Sequence, residues 1–471
     1  TVDSSQNSYI CGTYDGTLTI YNSDGTTFGT LTDALAGIAC FIAKYDSNGY
    51  CLWAAKINGV ASGNETSYSV AVDLSGNVYV TGSYTSSPVT IYNSDGTTFG
   101  TLTNSGGNDC FVVKYNTTGT AQWSTRMSST QGELGYGIST DSSGNVYVTG
   151  GYGSSSLLIY NSDGTTFGTL TVAGIGTDCF IVKYNTSGIG QWAAKLGSAG
   201  GDPGNSIAVD SSGNVYVTGN YGPGTLTIFN GDDTTFGTLA SIGGNDCFVV
   251  KYNTTGTAQW STRIGTTLSD SSNGISVDSN GNVYVTGSYG AGTLTIYNSD
   301  GTTFGTLTNS GNNDCFVVKY NTSGTTQWAT RITSTSADTG NGIKADSNGN
   351  VYVIGTYGAA TITVYNADGT TFTTLTNVGS NDCFMVKYNT SGVAQLALKV
   401  SSTSADAGNG ISVDSNQNIY LIGNYSGTLS LYNSDGTVYT TLSNAGNTDC
   451  FVYCLSSSPN SFILKNLTNE T

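Results

Sequence analysis

Thirty-one acidic side chains, ten cysteines and no histidine set the chemistry open to this chain. Without an imidazole there is no Ser-His-Asp or Cys-His nucleophile, and the commonest zinc and haem ligand is missing. Glutamate occurs only as Glu65, Glu133 and Glu470. Glycosidase chemistry needs two carboxyl groups about 5–9.5 Å apart, one with a raised pKa. The aspartates instead recur at equivalent places along the chain, mostly in turns or opposite Lys and Arg, and no unique pair stands out. No catalytic or cofactor-binding residue is expected. Five segments, Asp73–Asn77, Asp141–Asn145, Asp210–Asn214, Asp278–Asn282 and Asp346–Asn350, read D-x-[S/N]-G-N. Oxygen-rich loops of this kind can bind calcium, but these lack the later bidentate acid of an EF-hand. They are expected to be tight turns, with no metal and no cofactor.

The cysteines reveal what positions these groups. Cys40, Cys110, Cys179, Cys247, Cys315, Cys383 and Cys450 are spaced 67 to 70 residues apart, each inside a phrase such as NDCFVVKY. Seven copies of one unit therefore fill the chain, and a recurring residue is scaffold before it is active site. The units run approximately 1–66, 67–134, 135–203, 204–271, 272–339, 340–407 and 408–471, as one domain. Equivalent cysteines in neighbouring units should lie too far apart for a disulfide and act as buried apolar thiols. Cys11, Cys51 and Cys454 stand outside the repeat, in the first and last units. A bridge from Cys454 to Cys11 or to Cys51 would clasp the seam between the ends.

Within the fifth unit, Gly274–Asp278 and Asn282–Tyr289 read as strands around a turn, the second alternating as a strand should. Thr293–Asn298 and Thr302–Asn309 flank Asp300-Gly301, a strong hairpin signal. CFVVKYN and QWATRI flank Asn321–Gly324, a second hairpin. Closing that hairpin tightly in the second unit places Val112 opposite Trp123, Cys110 opposite Thr125 and Asp109 opposite Arg126. The same count pairs Asp178 with Lys195, Asp246 with Arg263, Asp314 with Arg331 and Asp382 with Lys399, each pair contributing about 0.2–1 kcal/mol. CFVV is apolar on successive residues, so both faces of that strand are buried. The expected fold is all-β, a seven-bladed β-propeller with four antiparallel core strands per blade plus an inserted hairpin. A β-solenoid is the rival, although its coils are usually shorter.

The strings D-S-S-G-N-V-Y-V-T-G (Asp141–Gly150), D-C-F-V-V-K-Y-N-T-S-G (Asp314–Gly324) and Q-W-A-T-R-I (Gln327–Ile332) resemble the SBBP repeat family, seven-bladed β-propellers common in secreted bacterial proteins. The resemblance covers essentially the whole chain. It departs from the usual family pattern in having Cys for Ala, and Asn-Thr-Ser/Thr-Gly for Asp-Pro-Ser-Gly. It implies the fold and an extracellular setting, and no catalytic residue.

The net charge is −17, and charged residues make up only 10% of the chain. Nucleic acid, whose binding needs Lys and Arg on phosphates, is not an expected partner. No apolar run approaches the ~18 residues of a membrane helix, so no membrane insertion is expected. Twelve of the 14 basic residues occupy two repeat positions, the Lys of VKY and the base after the Trp strand. The chain begins inside a repeat, so a secreted form would have lost its signal peptide. Asn-x-Ser/Thr sequons at Asn64, Asn116, Asn185, Asn253, Asn321, Asn389, Asn424, Asn466 and Asn469 are glycosylation candidates; five of them mark the same hairpin tip.

The first unit lacks most of its opening strand and the last lacks a Trp strand, for which Phe462-Ile463-Leu464 is a candidate. An unpaired edge attracts a strand. Closure within one chain is the conservative outcome; donation into the next molecule would give head-to-tail filaments. The leading expectation is a non-enzymatic extracellular or cell-surface glycoprotein of structural role, self-associating through its terminal strands. A propeller lectin binding glycans between blades, through aromatics such as Tyr92, Phe99, Tyr160, Phe167, Tyr297 and Phe304, is the alternative. A polysaccharide-active enzyme would need a unique cleft breaking the repeat, and the sequence displays none.

Overall fold

The computed structural model describes residues 1–471 apart from 34–36, 60–62, 154–155, 359–360, 434, 445, 447, 457–461 and 471, and over 462–470 it describes the backbone alone. The chain is all-β: antiparallel strands form seven sheets, the blades of a seven-bladed propeller, and among the described residues there is no helix.

Each blade is built from two consecutive units. The third unit supplies four strands in order from the axis outward: Glu133–Thr140, Val146–Tyr152, Asp178–Tyr184 and Gly190–Gly197. The fifth and sixth strands of that sheet, Thr225–Phe229 and Thr235–Ala240, are the inserted hairpin of the fourth unit. The third unit's own hairpin, Ser156–Tyr160 and Thr166–Thr171, extends the second unit's sheet in the same way. Only two residue pairs join hairpin to blade, Leu196 with Ile228 and Gly197 with Thr227. The hairpin is also tied to its own unit, where Asn230 Oδ1 accepts from the N–H of Ala258 at 2.8 Å. Every hairpin therefore straddles two blades.

The ends of the chain close the ring by the same device. Phe462–Glu470 takes the fourth place in the last blade beside Asp449–Leu455, the position expected for the missing Trp strand. Its other edge pairs with Thr17–Tyr21 of the first unit, from Thr17 opposite Glu470 to Ile20 opposite Leu467. The first blade has five strands: the innermost place, beside Ser8–Asp15, carries only the bridge from Val2 to Ser8.

Apolar clusters lie between blades rather than within them. Cys110, Val112 and Met127 of one blade pack with Val146, Val148 and Phe180 of the next. Both faces of the third strand are thus buried, as the successive apolar residues of CFVV require. A second lock accompanies this packing. Trp53, Trp123, Trp192, Trp260 and Trp328 each donate Nε1–H, at 3.0–3.1 Å, to a carbonyl at the hairpin tip of the following unit: Thr117, Thr186, Thr254, Thr322 and Thr390. The ring must approach the tip closely. At Gly119, where φ is +78°, a Cβ would lie 2.7 Å from the Trp53 ring, so glycine is required for space as well as for conformation.

The register of the second hairpin differs from the tight-turn expectation. Tyr115 pairs with Ala121, then a bulge at Gln122 sets Lys114 opposite Trp123, and the shift carries Cys110 to Met127 and Phe111 to Arg126. The longer turn and the bulge each add one residue and together move the far end of the strand by two, so Asp109 is not opposite Arg126, and the other four Asp–base pairs fail for the same reason. Among the described residues a single ion pair occurs, Lys195 with Asp233 at 2.9 Å. The bases instead lie over aromatic rings. Lys56, Arg126, Lys195, Arg263, Arg331 and Lys399 cover Tyr92, Tyr160, Phe229, Tyr297, Tyr365 and Tyr432 of the next unit's hairpin at 4.3–5.2 Å. A double-mutant cycle on Arg126→Met and Tyr160→Leu should return a coupling of about 0.5–1 kcal/mol in thermal or denaturant unfolding; zero coupling would refute this contact.

Candidate functional site

Most residues that the sequence marks for chemistry are occupied in holding the fold. Asp73 Oδ1 accepts the N–H groups of Ser75 and Asn77, while Oδ2 accepts from Asn77 Nδ2 and the Tyr79 hydroxyl, all at 2.8–2.9 Å. Asp141, Asp210, Asp278 and Asp346 repeat the same four bonds. These carboxylates are committed to their own turns, with a positive-φ glycine completing each. The VKY lysines lie over tyrosines of the neighbouring strand at 5.1–5.3 Å.

The sequons fall into three settings. At the hairpin tips, Asn116, Asn185, Asn253, Asn321 and Asn389 each use Oδ1 to accept two backbone N–H groups of the turn, while the two following residues are exposed. Asn64 is exposed, whereas Asn424 sits within a strand between Ala407 and Cys450. The side chains of Asn466 and Asn469 lie outside the described part. All ten cysteines are free thiols. Cys11 is opposite Ile42, Cys51 opposite Tyr45, and Cys454 lies between Tyr420 and Phe462. Burial pushes the Cys110 and Cys179 thiols up to about 12, which makes them inert.

One column of buried acids escaped the sequence reading. Glu133, Asp270, Asp338 and Asp406 open the inner strands, Asp202 lies two residues before its own, and each binds a Ser or Thr four residues earlier. Each also feels a buried aspartate at the start of the preceding blade's third strand: Asp109, Asp178, Asp246, Asp314 or Asp382. Burial first, with the neighbouring acid adding to it, pushes Glu133, Asp270 and Asp338 up to about 7 and Asp406 to about 6. Burial likewise raises Asp109 to about 7, and Asp178, Asp246 and Asp314 to about 6. The Oδ1 of all five third-strand aspartates has no donor among the described residues, as suits a carboxyl that carries a proton. The readable signal was the Ser/Thr-x-x-x-Asp/Glu spacing before each inner strand.

The place where the repeat breaks is the axis. Every complete inner strand carries a bulge, and the bulged residue is Tyr68, Tyr136, Asn205, Asn273, Asn341 or Asn409. All six line a cavity of about 570 Å³ at the mouth of the central channel. The two tyrosines are neighbours, with ring centroids 5.1 Å apart and an interplanar angle of 62°. The four asparagines form the rest of the rim. Asn205, Asn273 and Asn341 donate Nδ2–H across the blade boundary to the carbonyls of Ser272, Gly340 and Gly408 at 2.8–3.0 Å. Ser271 donates its hydroxyl to Asn273 Oδ1 at 2.9 Å, and Asn220 Oδ1 accepts from Asn205 at 2.8 Å. The expectation that no site breaks the sevenfold pattern is corrected here. Its signal was the uneven Tyr/Asn column just before Gly-Ile, Ser-Ile or Ser-Val, hidden because the position varies.

Blade architecture, swapped hairpins and an axial mouth define a repeat propeller rather than a globule with one grafted site. Five SBBP repeats, described as beta-propeller repeats, are matched at residues 53–86, 122–150, 191–220, 259–288 and 327–356. An uncharacterized WD repeat-containing protein of Acanthamoeba polyphaga mimivirus is 30% identical over 96% of this chain, which spans 37% of that relative's length. Among solved structures, the Dos1 propeller is 8% identical, with 84% of this chain and 92% of that chain covered and a TM-score of 0.35. A gluconolactonase of Xanthomonas campestris is 11% identical, covers 78% of this chain and 86% of its own, and has a TM-score of 0.30. At these scores neither likeness carries an argument.

The buried acids make stability depend on pH in an unusual direction. Their pKa values are raised on folding, so their contribution is complete below about pH 4 and is lost as pH rises through about 6–7. The exposed turn aspartates Asp95, Asp163, Asp300 and Asp368 act oppositely, held below the ordinary range by the hydroxyl and N–H of the Thr two residues on. The melting temperature should therefore fall between about pH 4.5 and pH 7.5, and Asp270→Asn with Asp338→Asn should flatten that slope. A melting temperature that climbs over this interval would contradict the assignment.

Proposed function

We propose that this chain is a non-enzymatic structural protein of an extracellular surface, a stiff disc that joins further copies of itself through its outer rim. The observation that carries this reading is the outermost strand of each blade. Thr27–Thr32, Thr98–Leu102, Thr166–Thr171, Thr235–Ala240, Thr303–Thr308, Thr371–Thr376 and Val438–Leu442 are each paired on one side only. None contains Lys, Arg, Asp, Glu or Pro, the residues with which proteins blunt open edges. Six of the seven expose an aromatic ring, Phe28, Phe99, Phe236, Phe304, Phe372 and Tyr439, at 38–44%. A uniform ring of uncharged, open edges suits edge-to-edge pairing with a second copy.

Three further features support the reading. The strand Phe462–Glu470 completes its own ring, so association through the rim does not require donation of a terminal strand. The tip asparagines keep Oδ1 in the turn, and among the described residues no acceptor holds their Nδ2, the atom a glycan would take. The hairpin tyrosines Tyr92, Tyr160 and Tyr297 are covered by Lys56, Arg126 and Arg263, which leaves them poor platforms for sugar between blades. The test is sedimentation and negative-stain imaging of the native protein beside a variant carrying Phe99→Lys, Phe236→Lys, Phe304→Lys and Phe372→Lys. The native protein should form strings or sheets of discs and the variant single discs, with thermal stability changed by only a few degrees. Single discs for both proteins at high concentration would overturn the proposal.

A further inference from the structure

The axial mouth has the chemistry of a ligand site, and this inference stands independently of the rim. Its volume, about 570 Å³, falls within the ~300–1,000 Å³ usual for small-molecule sites. Its lining contains Tyr, Asn, Ser, Gly and Ile and no charged side chain; Lys344 lies further along its inner strand, outside the lining. A phosphate or carboxylate would find no cation there, and a cation no anion. The ligand it suits is neutral.

The asparagine hydrogen bonds narrow the class further. The carbonyls of Ser272 and Gly408 can only accept, so the amides of Asn205 and Asn341 must turn Nδ2 toward them. This fixes both amide orientations and leaves the two Oδ1 atoms as open acceptors, since among the described residues no donor reaches either. The rim thus asks for a ligand rich in hydroxyl donors. Tyr68 and Tyr136 line the same mouth, and Tyr68 is 42% exposed despite lying at the centre of the molecule. An apolar ring face beside fixed acceptors is the pairing that recognises a sugar, whose C–H face and hydroxyl edge need opposite partners. The asymmetry adds direction: the tyrosines come from adjacent second and third blades, the amides from the fourth to the seventh.

We infer that the mouth of the central channel binds a neutral saccharide, stacked on Tyr68 and Tyr136 and hydrogen-bonded through its hydroxyls to Asn205 and Asn341. The test is titration calorimetry of the full chain against maltotriose, cellotriose, mannotriose, chitotriose and galactobiose, repeated with Tyr68→Ala, Tyr136→Ala and Asn341→Leu. At least one of these sugars should bind, and each substitution should weaken it by about 10-fold or more. Phe304→Ala, on the rim, should leave binding unchanged. Tyr68→Ala guards against misfolding of the others, since its half-exposed ring should leave the melting temperature near that of the native protein. Absence of binding for all five sugars up to about 10 mM, or binding that survives Tyr68→Ala and Tyr136→Ala, would overturn the inference. So would sugar binding lost equally in Phe304→Ala.

Discussion

No blade of this propeller is complete without the next unit around the ring, and the rest of the structure follows from that constraint. The outer two strands of each sheet come from the next unit, so strand pairing, the Trp-to-tip hydrogen bond and the base-over-ring contact all cross from one unit to the next. A unit unfolding alone would strip the edge of the blade before it. Repeat proteins whose units meet only through nearest-neighbour faces tend to fray from their ends. Here the first hairpin clasps the final strand, which removes the free ends from the arrangement. At six boundaries the few ladder pairs between hairpin and blade are supplemented by a cation over an aromatic ring.

Much of this was legible in the chain. The cysteine period gave the number of blades, CFVV gave burial on both faces, and Phe462-Ile463-Leu464 was recognisable as the substitute for a missing Trp strand. The second-hairpin register was not legible, because a tight turn and a turn followed by a bulge begin with the same Asn-Thr-Ser/Thr-Gly sequence. Opposite charges at matching repeat positions made the tight register attractive, and the bases in fact pair with rings one unit away. The hairpin exchange was equally hidden. Whether Thr225–Phe229 extends its own blade or the preceding one changes no local residue preference; it depends on how long the connections are around the ring. The axial mouth was missed for another reason: a search for recurring residues passes over the column that varies.

The same economy of residues shapes the functional reading. Nearly every side chain with chemical potential is engaged: turn aspartates by their own donors, lysines and arginines by rings, cysteines by burial. The buried carboxyl pairs at blade boundaries are compatible with folding because they retain protons where an exposed acid would not. What remains free is the outer rim, uncharged and open, and the mouth at the axis, neutral and rich in acceptors. The first suits contact with copies of the same disc, the second suits a small hydroxylated guest. The two regions lie at opposite radii, so a disc joined at its edge keeps its centre open.

The exchange of hairpins between units is tested most directly by trapping it covalently. Thr333, at the end of the fifth unit's fourth strand, is the registered partner of Thr363 in the sixth unit's hairpin. Ser401 ends the sixth unit's own fourth strand and pairs instead with Ser430 of the seventh. Peptide mapping without reductant should find a disulfide in the Thr333→Cys, Thr363→Cys variant and none between the new residues in the Thr363→Cys, Ser401→Cys variant. The reverse pattern would place each hairpin on its own blade and contradict the interlocked ring.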